Sequence, residues 1–358
     1  MRVGVDGRSL RDPARTRGIA RYLRGLLSSL ARDFPEDRYA VFVPGAAAAE
    51  LEAPGIEIHG SRMGSRPLFA SAALSGRPRL DRLLGGCDVV LLPTVAPVAV
   101  SRGVPYVLTV HDLTFEHRPR DFSTYERAWH RVARPRRLAR RAARLIADSD
   151  TVARALTDEW GITADQVETI PPGPGRPPGR ASAAPDGLPD SFFLAVGALE
   201  PRKRPDLLVE AHARASRRGL QGGLVLAGEG PLRAELEQSQ AILLGFVDDA
   251  VLEALYARAL ALVCVSEEEG FGFTPLEAIA RGTPAVVSDL PVFDETVAGG
   301  ALRIPRGDAG ALAEALLRLE RDPALRQRLT ADGSAALGGM SWANTAAATR
   351  AVLAEAAG

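Results

Sequence analysis

Two periods of hydrophobic and polar residues alternate along this chain. Short runs in which nearly every position is apolar, "RVGVDG", "YAVFVP", "IEIHG", "DVVLLP", "PYVLTV", "RLIADS" and "VETIP", succeed one another through the first half. Runs this short and continuous predict strands, and apolar strands covered on both faces belong to a parallel sheet. Between the first two, Ile19, Leu23, Leu26, Leu27 and Leu30 recur at helical spacing and predict a helix over 19–30. Both periods stop at "PPGPGRPPGRASAAPDGLP", residues 171–189, where seven prolines and four glycines leave no room for regular structure. Beyond it the alternation restarts. Strands are predicted at "SFFLAVG", "GLVLAG", "AILLGFV", "ALVCVS" and "PAVVSD", and helices from about Pro205, near Leu232, over 249–259 and over 275–281.

The pattern predicts an α/β protein of two Rossmann-like, doubly wound parallel-sheet domains, over residues 1–172 and 190–340, joined by a linker over 173–189. Two such domains are expected to face a cleft, with the carboxyl ends of their strands toward it. A length of 358 residues suits two domains, and 46% hydrophobic with 25% charged residues suits a folded chain.

Charge adds a mild asymmetry. The net charge is zero, yet residues 1–170 carry 26 basic and 20 acidic residues, against 18 and 24 in the remainder. The front half therefore favours anionic partners, and no nucleic-acid partner is expected. Cys87 and Cys264 each sit in an apolar run, which speaks against a disulfide framework or a cysteine metal site and for a reducing compartment. The chain opens directly on a strand, and its longest apolar stretch is broken by Pro93 and Pro97. A cytoplasmic protein is expected. The run "HRVARPRRLARRAARLIADS" places Arg134, Arg137, Arg141 and Arg144 along a helix over 131–144. Two readings stay open for it: a solvated amphipathic helix, or a weak peripheral contact with an anionic membrane at its inner face. Among 44 basic residues there is a single lysine, Lys203, beside Arg202 in "EPRKRP".

The richest chemistry lies in "VSEEEGFGFTPLEAIARGTPAVVSD", residues 265–289. In one reading Thr274 caps a helix whose first residue is Pro275, Glu277 reaches back to the cap, and Gly282 ends the helix. The glycines of Gly270, Phe271, Gly272, Phe273 and Thr274 would let backbone amides approach an anion such as a diphosphate. In the other reading Glu269 and Glu277 accept the paired hydroxyls of a sugar and a ribose. His111 and Asp112 follow a predicted strand, where a parallel sheet presents functional residues, although a helix-start cap would also explain them. No acidic pair follows a strand in the manner of a metal site, and "VDDA" reads as a helix cap.

These residues resemble those of the retaining GT-B glycosyltransferases of the GT4 type, and the resemblance runs over nearly the whole chain. The "SEEEGFGFTPLEAIARGTPAVVSD" segment is similar to the family's E-x7-E segment, with Glu269 first and Glu277 second. "GALEPRKRPDLLVEAH", opening on Gly197, resembles the segment whose Arg-Lys pair binds the donor diphosphate, which implies that role for Arg202 and Lys203. "VDGRSL", "TRGIARYLRGLL", "VLTVHDL", "LIADSDTVARAL" and "LLGFVDDAVLEALYARA" are similar to further landmarks. "MSWANTAAATRAVLAEA" resembles the last helix, implying that 341–358 packs back on the N-terminal domain. Two departures stand out: Ala20 replaces a glycine of the first loop, and Arg204 stands where an asparagine is common.

The resemblance implies transfer of a hexosyl group from a nucleoside diphosphate sugar to a hydroxyl with retention of configuration. It implies that the front domain binds the acceptor and the second domain the nucleotide sugar. The acceptor would be a glycan, a lipid-linked molecule or a small molecule, with no metal and no cofactor beyond the donor substrate. The implied roles are Glu269 to sugar hydroxyls, Glu277 to ribose, His111 to the sugar or acceptor, and Gly18 to a loop that approaches the phosphates. The "GIARY" opening leans to the mannosyltransferase-like branch, hence GDP-mannose, while related sequences use a UDP-hexose. A hydrolysing sugar-nucleotide epimerase of the same fold and a non-catalytic sugar-nucleotide-binding protein are the alternatives.

Overall fold

Every predicted strand forms. The computed structural model describes residues 1–11, 13–45, 54–61, 65–175, 179 and 181–358. They fall into two units, Met1–Gly173 with Met340–Gly358, and Pro174–Gly339.

In the first unit β1 (Arg2–Asp6), β2 (Arg38–Phe42), β3 (Ile56–His59), β4 (Val89–Leu92), β5 (Tyr106–Val110), β6 (Arg144–Ala147) and β7 (Val167–Thr169) lie in the order β3-β2-β1-β4-β5-β6-β7. All pairings are parallel, with Val3 opposite both Tyr39 and Val89. The apolar runs are buried as their composition requires: Val89 to Leu92 is closed to solvent along its length. The first helix spans Pro13–Asp33, longer than the 19–30 that its apolar stripe indicates, and Leu23, Leu26, Leu27 and Leu30 are its buried face.

The single basic helix expected over 131–144 does not form. Helices Thr124–Ala133 and Pro135–Arg141 are separated by Arg134 at φ 51°, and Arg144 belongs to β6. Pro135 is the cause, since proline drives the residue before it out of the α region. Several arginines of the run are used inside the fold: Arg136 on Glu116, Arg140 on the Trp160 carbonyl, and Arg144 on Glu168 and Glu355.

The second unit contains β8 (Phe192–Val196), β9 (Gly223–Ala227), β10 (Ile242–Gly245), β11 (Ala261–Cys264), β12 (Ala285–Ser288) and β13 (Ala301–Ile304), all parallel, in the order β10-β9-β8-β11-β12-β13. The helix Pro205–Ser216 buries Leu207, Leu208, Ala211 and Ala215 in the core beneath this sheet. "VDDA" is a cap as expected: the Asp248 carboxylate accepts the Val251 amide at 2.8 Å.

The described part of the proline-rich segment after Gly173 belongs to the second unit and lies along it, with the Ser182 amide donating to the Ala250 carbonyl at 3.0 Å. Residues 176–178 and 180 of the expected linker lie outside the described residues. The last helix, Trp342–Ala357, belongs to the first unit, as the resemblance implied. Ser341 caps it, and the Trp342 indole lies so close to Gly25 that a Cβ there would come within 2.3 Å. Arg350 fixes its far end with bonds to Asp37 at 2.7 Å and Glu36 at 2.8 Å. Among the described residues no helix is long and apolar enough to cross a membrane.

Candidate active site

In each sheet the chain reverses its direction of winding between two neighbouring strands, β1 and β4 in the first and β8 and β11 in the second. Loops leaving the carboxyl ends of such a pair diverge to opposite faces and open a crevice, so ligands of doubly wound sheets bind there. In the second unit those loops are "GALEPRK" and "VSEEEGFG", the two stretches singled out in the sequence.

A backbone hydrogen bond from the Glu267 amide to the Arg202 carbonyl, 2.9 Å, joins them. Lys203 ends the short turn Pro201–Lys203, and its Nζ pairs with Glu269 Oε1, which also accepts the Ser266 hydroxyl at 2.7 Å. Burial pushes the Glu269 carboxyl up, but the charges of Lys203 and then Arg202, with these bonds, outweigh it and hold the group below the ordinary carboxylate range. The lysine is a quarter exposed and the glutamate almost buried, so the ammonium is the more accessible half of the pair.

Arg202 is braced by Glu200, Nε to Oε2 at 2.9 Å. Arg204 adopts φ 51°, a left-handed conformation that asparagine tolerates better than arginine, which accounts for the residue common there in the family. Its guanidinium compensates by clamping Glu267 at 2.6 Å and Asp206 at 3.0 Å. Glu267 thus fixes the loop. Cys264, beneath Glu269, has its thiol pushed up to about 11 by burial first and Glu269 second, and so stays protonated and unreactive.

The helix after "EGFG" spans Phe273–Ile279 with Gly272 as its N-cap, and no side chain bonds to that cap. The capping box expected of Thr274 and Glu277 is therefore absent. Gly272, at φ 86°, turns the chain into the helix one residue before Thr274, which leaves threonine inside the first turn. Gly197 likewise takes a glycine conformation, φ 141°, at the end of β8. Phe271 is buried edge-on against Phe273, with ring centroids 5.2 Å apart.

The carboxylate of Glu277 takes a different path from that of Glu269. It is fully buried, accepts the Tyr256 hydroxyl at 3.2 Å, and lies under Gly175, where any Cβ would come within 2.3 Å of its Cγ. Arg281, one turn later, donates to the Glu277 carbonyl at 2.9 Å and forks onto Glu253. Tyr256, Arg281 and Glu253 were not read from the sequence as site residues. The i, i+4 spacing of Glu277 and Arg281 was the one available signal.

In the first unit His111 follows β5. Its Nδ1 lies 2.6 Å from Asp148 Oδ2 at the end of β6, and its Nε2 lies 2.7 Å from the Pro93 carbonyl at the end of β4. Tyr22 packs edge-on against the ring, centroids 4.9 Å apart. Burial pulls the His111 pKa down, but the Asp148 charge and the bonds to Asp148 and Pro93 raise it above the ordinary value. Asp112 accepts the Thr114 amide at 2.9 Å, a turn-fixing role. Gly18 corrects the expected first loop: it sits inside the helix Pro13–Asp33, because helix formers on both sides carry the helix through it. Arg8 is held against Asp6 at 2.5 Å and the Pro97 carbonyl at 2.9 Å, over the Phe69 ring. Among the described residues no cluster of three or more His, Cys, Asp or Glu side chains is placed to hold a metal.

Residues 185–335 match the family Glycosyl transferases group 1, and residues 16–173 match Glycosyltransferase Family 4. The D-inositol 3-phosphate glycosyltransferase of Saccharomonospora viridis is 33% identical over 68% of this chain and 63% of its own length. The chain thus spans somewhat under two thirds of that relative. The D-inositol 3-phosphate glycosyltransferase of Frankia alni is 32% identical over 70% of this chain and 68% of its own. Among solved structures, Anabaena HepE in complex with UDP and glucose superposes with a TM-score of 0.70 over 99% of this chain and all of its own, at 19% identity. Fold, motif and matched length agree, and the chain belongs to the GT4-type glycosyltransferases of the GT-B fold.

Proposed function

We propose that the protein transfers a hexosyl group from a nucleoside diphosphate sugar to an acceptor hydroxyl, with retention of configuration and without a metal ion. The observation that carries this is the Lys203–Glu269 pair at the β8–β11 crevice. An arriving diphosphate competes with Glu269 for Lys203, because phosphate oxygens offer the ammonium more negative charge than one carboxylate. As Lys203 turns to the diphosphate, Glu269 is freed to accept sugar hydroxyls. Donor binding and assembly of the sugar site are then one event.

As the bond from the anomeric carbon to the phosphate oxygen breaks, charge builds on the departing β-phosphate, and Lys203 with Arg202 stabilises it most in the transition state. The acceptor oxygen bonds to the anomeric carbon on the same face. Its proton passes to the departing phosphate oxygen, through an oxocarbenium-like state. Glu277, closed to solvent beneath Gly175, reaches the ribose only if that segment gives way, and His111 contacts the sugar or acceptor. The donor is a UDP-hexose or GDP-mannose. HepE is described with UDP and glucose, and the two relatives reported above are named for D-inositol 3-phosphate, so UDP-glucose and a phosphorylated cyclitol head the pairs to test. Glycan and lipid-linked hydroxyls follow as acceptors.

The test is a thermal-shift panel of GDP-, UDP-, TDP- and ADP-sugars, followed by nucleotide-release assays and NMR of the product's anomeric centre. A ligand at a hundred times its Kd stabilises the folded state by about 2.7 kcal/mol. Failure of every donor to raise the midpoint, or an inverted product, would defeat the proposal. Trapping a covalent glycosyl-enzyme with a slow donor analogue would overturn the single-face mechanism.

A further inference from the structure

His111 has both ring nitrogens engaged by groups that differ in what they can accept or give. The Pro93 carbonyl, 2.7 Å from Nε2, can only accept, so Nε2 carries a hydrogen. At 2.6 Å the contact between Nδ1 and Asp148 Oδ2 requires a proton between the two atoms. Asp148 is buried, and its second oxygen, Oδ1, has no hydrogen-bond partner among the described residues. A carboxylate in that position needs a positive neighbour, and the ring is the group in contact with it.

The other groups facing the ring do not change this balance. Tyr22 presents a ring edge, with its hydroxyl near the Thr109 hydroxyl at 3.4 Å, and its phenol is held neutral, its pKa raised first by burial and then by Asp148. Asp112, the next residue, adds negative charge on the same side. Two N–H bonds in different directions, with Tyr22 against the ring, leave His111 one orientation.

From this geometry we infer that Asp148 is a positioning residue which holds His111 as a doubly protonated imidazolium with both N–H groups already committed, so that His111 offers a ligand its positive charge, or an N–H shared with the Pro93 carbonyl, and never acts as a general base. The inference rests on the proposal that His111 contacts the sugar or acceptor. It deepens that proposal by excluding His111 from taking the acceptor's proton, in keeping with passage of that proton to the departing phosphate oxygen. It also assigns work to Asp148, which the landmark "LIADSDTVARAL" contains without giving it a role.

The experiment reads the ring directly, in the ligand-free protein. Nitrogen-15 NMR of the histidine side chains, with His111→Gln to assign the signals, follows the protonation of Nδ1 and Nε2 against pH. In the wild type both His111 nitrogens are expected to be protonated at neutral pH, and the ring to lose its proton only above the range of an exposed histidine. In Asp148→Asn the amide can donate to Nδ1, so the neutral Nε2–H form takes over and the titration moves to lower pH. Turnover is expected to fall about tenfold or more, with the high-pH limb of its profile moving the same way as the NMR titration. A merely structural role would lower stability without moving either curve. A neutral His111 in the wild type at pH 7, or an unmoved titration in Asp148→Asn, overturns the inference. Both outcomes are read without any donor, so they are distinct from failure of the proposed activity.

Discussion

Replacing Lys203 by alanine separates its chemical work from its structural work. Structurally, the change deletes one charge-assisted hydrogen bond to Glu269. Such bonds are worth about 1.5–3 kcal/mol, and the low end applies because Lys203 is 25% exposed and Glu269 keeps the Ser266 hydroxyl. A loss of about 1.5 kcal/mol from a unit of this size lowers Tm by about 3–6 °C. On the proposed role, the change also removes the cation that would stabilise the leaving phosphate, an effect of about 10²–10³ in kcat. Nucleotide release under saturating donor and melting by circular dichroism are measured on the same preparation. Activity within a few fold of wild type would refute the assignment, as would a loss of kcat no larger than the unfolded fraction explains. There is a pH signature as well. The Glu269 carboxyl is depressed, so the stability it adds is present above the ordinary carboxylate value and is lost as pH falls through the depressed one. In Lys203→Ala the depression weakens, so this group should lose less stability on acidification and the loss should end at a higher pH.

Tyr256→Phe removes the hydroxyl donor to the buried Glu277 carboxylate and should cost about 1.5–3 kcal/mol in urea unfolding, with weakened donor affinity if that carboxylate holds the ribose. An unchanged midpoint would mean that Glu277 does not depend on the tyrosine. Gly25→Ala drives a methyl to within 2.3 Å of the Trp342 indole, and a cost of about 1–3 kcal/mol should exceed alanine's helix-forming advantage. A rise in Tm would contradict the close seating of the last helix. Anionic vesicles should show no salt-sensitive co-sedimentation with the protein, since Arg136, Arg140 and Arg144 are already engaged within the fold. Binding that weakens with salt would restore the membrane reading of the basic segment.

Twelve strands were readable in the sequence: central ones such as Val89–Leu92 because a strand buried on both faces has no other composition open to it, and the half-exposed edges Ile56–His59 and Val167–Thr169 as short β-rich runs. The thirteenth, β13, was not read: its four-residue run carries Arg303, which bonds to Asp289 and Asp294 at the surface. The candidate site was legible as residue types and not as partnerships. Lys203 meets Glu269 only because β8 and β11 are neighbours, and His111 meets Asp148 only because β5 and β6 are. Strand order is set by packing across the whole sheet, and no local pattern carries it. The E-x7-E spacing named two carboxylates, Glu269 for sugar hydroxyls and Glu277 for ribose, without showing how differently they are held. The turn at Gly272 places one beside the accessible lysine and the other beneath the segment that follows Gly173.

The seat of Trp342–Ala357 on the first unit has a consequence for how the protein is made. Residues 1–173 leave the ribosome long before the helix that completes them, and all of 174–339 must be synthesised in between. Throughout that interval the surface that receives Trp342 and Leu353 is uncovered, and Asp37 lacks Arg350. The first half of the chain is therefore the last to be finished. Expression of residues 1–173 alone would reproduce that unfinished intermediate, and adding 340–358 as a separate peptide is the direct way to complete it.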